Sequence, residues 1–146
     1  MNVDNTNNEN SNRVEGLITV LSEFSPDETM TRLETAIVAH GMKVFSRINH
    51  ATLAAEAGMT LRPTEVILFG NPRGGTPLMQ ASQAIGIDLP LKALVWQDAS
   101  GKTWVSYNNP EWLAKRHNVS GVDKNLAAMR QALDVATSQA TKCLPG

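Results

Sequence analysis

The chain is poor in the residues that most often carry reactive chemistry. It holds one cysteine (Cys143), one tyrosine and three histidines in 146 residues. A single thiol closes no intrachain disulfide and builds no cysteine cluster for a metal ion. His40, His50 and His117 stand far apart. None has another His or an acid three or four residues away, so no helical metal site is visible. An excess of one charge is missing too: 13 basic side chains face 14 acidic ones, a formal charge of -1. Nucleic-acid binding needs a concentrated basic face that displaces counterions from phosphates, and this balance argues against it. No apolar run approaches the ~18 residues of a membrane span. There is no Gly-x-Ser-x-Gly elbow, and Cys143 lies in what reads as a frayed C-terminus, so no nucleophilic arrangement is indicated. Among Glu56, Glu65, Asp88, Asp98 and Glu111 no spacing demands general acid–base work.

What is present suits one globular domain. Hydrophobic residues make up 42% and charged residues 18%, enough to bury a core in a chain of this length. The Asn-rich segment 1–13 cannot offset its ordering entropy and reads as a disordered tail, leaving 14–146 as a single domain. The tail lacks the charged start and apolar centre of a signal peptide. Cytoplasmic placement is therefore the default expectation, and a leader removed earlier would be compatible with it.

Periodicity orders the elements. Gly16–Ser22 reads as an inner strand, apolar on both faces. Ser25-Pro26-Asp27-Glu28 opens a helix with a capping box and proline in its first turn; Met30, Leu33 and Ile37 follow at helical spacing until Gly41. Lys43–Asn49 alternates as a strand, with Val44 and Ile48 on one side and Phe45 and Arg47 on the other. A short Ala-rich helix, a strong strand at 64–70, and a turn at 71–77 opening a second helix come next. Leu91–Gln97 and Thr103–Tyr107 form a hairpin around Asp98-Ala-Ser-Gly101. Asn109-Pro110 caps a short helix, and Ser120 to Asp123 cap the last one, with the stripe Val122, Leu126, Met129, Leu133, Ala136. This order predicts an α+β fold: a two-layer arrangement with a five-stranded, mostly antiparallel sheet and helices on one face. Trp96, Trp104, Phe69 and Phe45 are the candidates for the uncovered second face, which makes a homodimer the expected assembly.

The segment Asn71 to Thr76 is the most informative. Two glycines after a strand, before a helix, present unpaired backbone N–H groups near a positive helix end and Arg73, a concavity for carboxylate or phosphate. It is neither a Walker A loop nor a dinucleotide fingerprint. The plainer alternative is a tight turn that needs glycine for backbone reasons, and such turns are common. Lys92 lies by parity beside Leu94 and Trp96, where a lysine snorkels, pairs or has a depressed pKa. Its tip can meet Tyr107 across the hairpin only in one of the possible registers. His40 and His117 suit helix C-termini; His50 ends a strand and is the histidine most expected at a cleft.

Several spaced motifs, taken together, resemble a known family. They are Gly41-Met42…Val44-Phe45…Arg47-Ile48…His50-Ala51, Asn71-Pro72…Gly75-Thr76-Pro-Leu-Met79, Ile87-Asp-Leu-Pro-Leu-Lys92…Val95-Trp96…Gly101, and Val105-Ser-Tyr-Asn108-Asn-Pro110…Leu113-Ala…Arg116-His117. In order and spacing they resemble the bacterial domain-of-unknown-function family 302 across about residues 14–140. The resemblance implies a TATA-binding-protein-like fold, strand–helix–four strands–helix, and a tendency to homodimers. It implies no activity. Asn49 and Asn109 stand where the family pattern often has Asp, so a role needing those carboxylates is not carried over.

The leading functional expectation is a non-catalytic homodimeric domain that binds a small anionic ligand or a protein partner, with no cofactor and no metal. Its candidate ligand residues are Asn71, Arg73, Gly74, Gly75 and Thr76, with Lys92, Tyr107, Asn108, His50 and His117 fixing orientation. An enzyme with a His base, Lys92 and the glycine-turn amides is the alternative. A haem or metal binder using His and the six Met residues is a third.

Overall fold

A computed structural model describes residues 14–143; the segment read as a tail lies outside the described residues. Five strands, β1 (Leu17–Ser22), β2 (Lys43–Asn49), β3 (Thr64–Gly70), β4 (Leu91–Gln97) and β5 (Thr103–Asn108), form one sheet in the order β1-β5-β4-β3-β2. Every neighbouring pair is antiparallel. The α-helices are α1 (Pro26–Ala39), α2 (His50–Glu56), α3 (Pro72–Ala81), α4 (Pro110–Arg116) and α5 (Asp123–Thr141), with a 3-10 turn at Gln83–Asp88. The fold is α+β, as the element order predicts.

Local chemistry sets the helix starts. The Ser25 hydroxyl accepts from the Glu28 amide and Pro26 occupies the first turn of α1. Asn49, Asn71 and Asn109 each accept an amide hydrogen bond at the start of α2, α3 and α4. A cap needs only a side-chain oxygen, which Asn and Asp supply alike. That explains how Asn49 and Asn109 serve where carboxylates are often found. The start of α5 departs from expectation: Val122 precedes it and no side chain caps it.

The strand register separates two faces. Ile67, Phe69, Leu91, Ala93, Val95, Val105 and Tyr107 are buried on one face, together with Met30, Leu33 and Ile37 of α1 and Leu126, Met129 and Leu133 of α5. This is the core, and the long helices α1 and α5 lie against it. The opposite face carries Leu17, Leu21, Val66, Leu68, Leu94, Trp96 and Trp104, none of which joins the core cluster. Phe69 is a correction: at 1% exposure it is a core residue, not part of the open face. Phe45 is a second. The ladder pairs Val44 with Phe69 and Ser46 with Leu68, so a bulge takes up Phe45 and breaks the simple alternation of β2. Arg47 then turns toward the helices, where it holds Glu65 through two nitrogens and Glu34 of α1 through a third.

Candidate functional site

Helix α3 starts at Pro72, so Gly74 and Gly75 lie inside its first turns rather than in a preceding loop. Their amides are not unpaired, contrary to the turn reading. The Arg73 amide donates to the Asn71 side chain, and those of Gly74 and Gly75 donate to the Asn71 carbonyl. Nor does either glycine need a left-handed backbone. A methyl group on Gly74 would meet the Met129 Cε at 3.4 Å, and one on Gly75 the Leu89 Cδ1 at 3.7 Å, both ordinary contacts. Alanine would fit and would favour the helix by up to about 1 kcal/mol per site. What the glycines do is leave bare backbone along the wall of a cavity.

That cavity, of about 620 Å³, opens between α3, α5, the bulge of β2 and the segment before β4. Its less exposed lining is mostly apolar, with Met42, Met79, Leu89, Leu91, Met129 and Ala132, and the exposed Phe45 and Ala128 add apolar surface at its rim. Polar side chains gather where the lining is solvent-exposed, namely His40, Asn71, Arg73 and Thr76, with half-buried Asn125 beside them. Among the described residues no acid lines it. Six arginines fall among the described residues, and five are spent: Arg32 on Glu28, Arg47 on Glu65 and Glu34, Arg62 on the Gln97 carbonyl, Arg116 on Asp88, and Arg130 on Glu111 and Asp134. Among these six arginines only the Arg73 guanidinium makes no hydrogen bond or ion pair to the described residues, and it stands at the cavity mouth.

The remaining sequence-selected residues lie elsewhere. Lys92 is half-buried on the open face, where its Nζ donates to the carbonyls of Pro90 (3.0 Å) and Asp88 (3.3 Å). Burial lowers its pKa, and the Asp88 charge opposes that shift. Asn108 shares a shallow pocket of about 260 Å³ with it. Tyr107 points to the helix side and donates from its hydroxyl to Asp134 at 2.8 Å. Burial first, then Asp134, raises its pKa far above the ordinary value. The tips of Lys92 and Tyr107 therefore do not converge. His50 is exposed at the start of α2. His117 caps the C-terminus of α4 and meets the Asp88 carboxylate at 2.6 Å, beside the Arg116 contact at 2.7 Å. Burial pushes the Asp88 carboxyl up, but His117 and Arg116 outweigh it and the pKa falls. This cluster clasps the 3-10 turn to α4. Neither His50 nor His117 lines any of the cavities described.

Sequence spacing does not single out much of the lining, including His40, Phe45, Met42, Met79, Leu89 to Leu91 and the α5 residues Asn125 to Ala132. The bulge and the docking of α5 place them, and neither is written in local spacing. One signal was available: an Asn cap followed by proline marks a helix start, which puts both glycines inside the helix.

The fold and sequence have known relatives. A crystal structure of an uncharacterized conserved DUF302 protein from Bacillus stearothermophilus superposes with a TM-score of 0.78 over 87% of this chain and 99% of that one, at 21% identity. At 46% identity over 131 residues, 90% of this chain, it is similar to proteins named fluoride-specific ion channel FluC 1 in Brucella suis and Brucella abortus and FluC 2 in Brucella melitensis. The chain spans about half the length of these relatives: 50% of the first and 47% of the other two. Residues 18–136 match the model of the family described as domain of unknown function DUF302, and the chain belongs to that family.

Proposed function

We propose that this domain is a non-catalytic binding module that holds a small anion-bearing ligand in the cavity between α3 and α5. One observation carries the reading: among the described residues, the guanidinium of Arg73 has no protein partner and stands at the mouth of a cavity that no acidic residue lines. A guanidinium in that setting attracts a carboxylate or phosphate and repels cations. The volume falls within the ~300–1,000 Å³ usual for small-molecule sites. His117 and Lys92 both bond Asp88, but His117 lines neither the α3–α5 cavity nor the pocket beside Lys92, which favours holding a ligand over the enzyme alternative. The channel name of the Brucella relatives belongs to proteins twice as long, and among the described residues no helix is long and apolar enough to cross a membrane. We therefore assign ligand holding, not conduction, to this part.

The test is a melting screen against small carboxylates and phosphates, repeated with Arg73→Gln. A ligand at about a hundred times its Kd adds about 2.7 kcal/mol, a shift of several degrees. Arg73→Gln is expected to remove most of that shift while leaving the unliganded melting point in place. An equal shift in the variant would contradict the proposal.

A second observation supports a homodimer. The open face keeps its polar tips satisfied internally. Trp96 donates to the Ser106 hydroxyl at 2.9 Å, Thr19 shares that hydroxyl, and Trp104 donates to Asp98. The two indoles stack with centroids 6.2 Å apart. The rest of that face is mostly apolar, with Lys92 toward one end of β4 and Asp98 just beyond the other. A two-fold axis that sets the strands antiparallel lays each Lys92 end over the partner's Asp98 end, a self-complementary arrangement.

A further inference from the structure

We infer that the ligand is a free aliphatic monocarboxylate, a single anionic head on a flexible hydrocarbon tail; this rests on reading the α3–α5 cavity as an anion site. The division of the walls argues for it. Polar side chains stand mostly at the exposed mouth, whereas the half-buried and buried lining is chiefly methionine and leucine with Ala132. A sugar or other polyol would bury hydroxyls there with nothing to pair them, and each unpaired group costs binding. A nucleotide or polyphosphate brings several charges to a lining whose fixed positive charge is Arg73 alone. One guanidinium matches one carboxylate.

The nature of the apolar walls narrows the tail. Met42, Met79 and Met129 supply three thioethers against one aromatic ring, Phe45. Unbranched thioether side chains adapt to a flexible chain, whereas a flat aromatic ligand is better met by rings. Gly74 and Gly75 contribute bare backbone at that wall, where their own packing has room for a methyl group. Close approach of a ligand is a use for glycine that neither turn geometry nor packing supplies here. The α3 amides are committed within the helix, so the head is held by Arg73 and not by the helix terminus.

Calorimetric titration of the full chain with butanoate, hexanoate, octanoate and 1-octanol, below their aggregation limits, tests this. Affinity should rise about three- to fourfold per added methylene. Octanol should bind at least tenfold more weakly than octanoate, and Arg73→Gln should bring octanoate down to the octanol level. Gly75→Leu, which fills the wall, should abolish binding of both with the melting point held within a few degrees. Equal affinity for all chain lengths, still dependent on Arg73, would overturn the aliphatic assignment and leave the anion site standing. Octanol equal to octanoate with Arg73→Gln silent would overturn the anion site itself. Co-sedimentation with anionic phospholipid vesicles without binding of free octanoate would replace the free acid by a membrane surface and overturn the inference.

Discussion

The Asp98 carboxylate takes four hydrogen bonds: from the Ser100 amide and hydroxyl, the Lys102 amide, and the Trp104 indole at 2.8 Å. Burial pushes its pKa up, but the bonds from Trp104, Ser100 and Lys102 outweigh this and hold it at about 2, against 3.8 ordinarily. A carboxyl depressed in the folded state stabilises it above the unfolded pKa, and that contribution is lost as pH falls from about 4 toward 2. Asp98→Asn keeps the turn bonds and loses the charged acceptor for Trp104. The expected cost is about 1 kcal/mol at pH 7, discounted for solvent screening, and it should fall to a small fraction of that at pH 2, where the carboxyl is about half protonated. Urea unfolding of both proteins across that range reads the difference; a gap unchanged at pH 2 would mean the carboxylate charge is not its source. Asp98 was legible in the sequence as a turn residue, because side-chain bonds within four residues are local. Its bond to Trp104 depends on the hairpin register and was not.

Glycine has two distinct uses in the elements around the site. Gly16 has φ of +76°, and a Cβ there would fall 2.2 Å from the Trp112 ring of α4. Its carbonyl also accepts the Asn109 amide, so the entry to β1 and the start of α4 are fastened together. Gly16→Ala combines a disfavoured backbone with a ring that must move, and is expected to cost more than about 2 kcal/mol by denaturant unfolding. A cost near zero would show that the β1–α4 junction is loose. Gly74 and Gly75 predict the opposite sign. The double Ala variant should raise the unliganded melting point by a few degrees through helix propensity, yet weaken ligand binding by crowding the cavity wall. Were binding to improve along with stability, bare backbone would have no part in recognition. The caps of α1 and α4 were legible because a cap and its proline are neighbours in sequence, and the strands and the apolar stripe of α5 because each repeats with its element's own period. It hid the β2 bulge, since one extra residue leaves the composition of a strand unchanged. It also hid the cavity, whose walls come from segments up to about ninety residues apart and meet only when α5 docks.

Two layers leave one sheet face without a helix, and the proposed homodimer rests on that arrangement. A specific dimer through this face should bury on the order of 1,200 Å² or more in total. Leu94 lies near its centre, beside Trp96. Sedimentation should show a dimer at tens of micromolar, and Leu94→Glu should convert it to a folded monomer by burying an unpaired charge at the interface. A wild-type monomer at that concentration would remove the dimer. Binding and assembly are separable here, because the α3–α5 cavity lies on the helix side of the sheet. The most direct measurement is an amide-resolved NMR titration of the protein with octanoate. Saturable shifts are expected at Gly74, Gly75, Thr76 and Met129, with Lys92, Trp96 and Ser106 unmoved. Saturable shifts that map instead to the Lys92–Trp96 face, or no saturable shifts at all, would contradict ligand holding in the α3–α5 cavity.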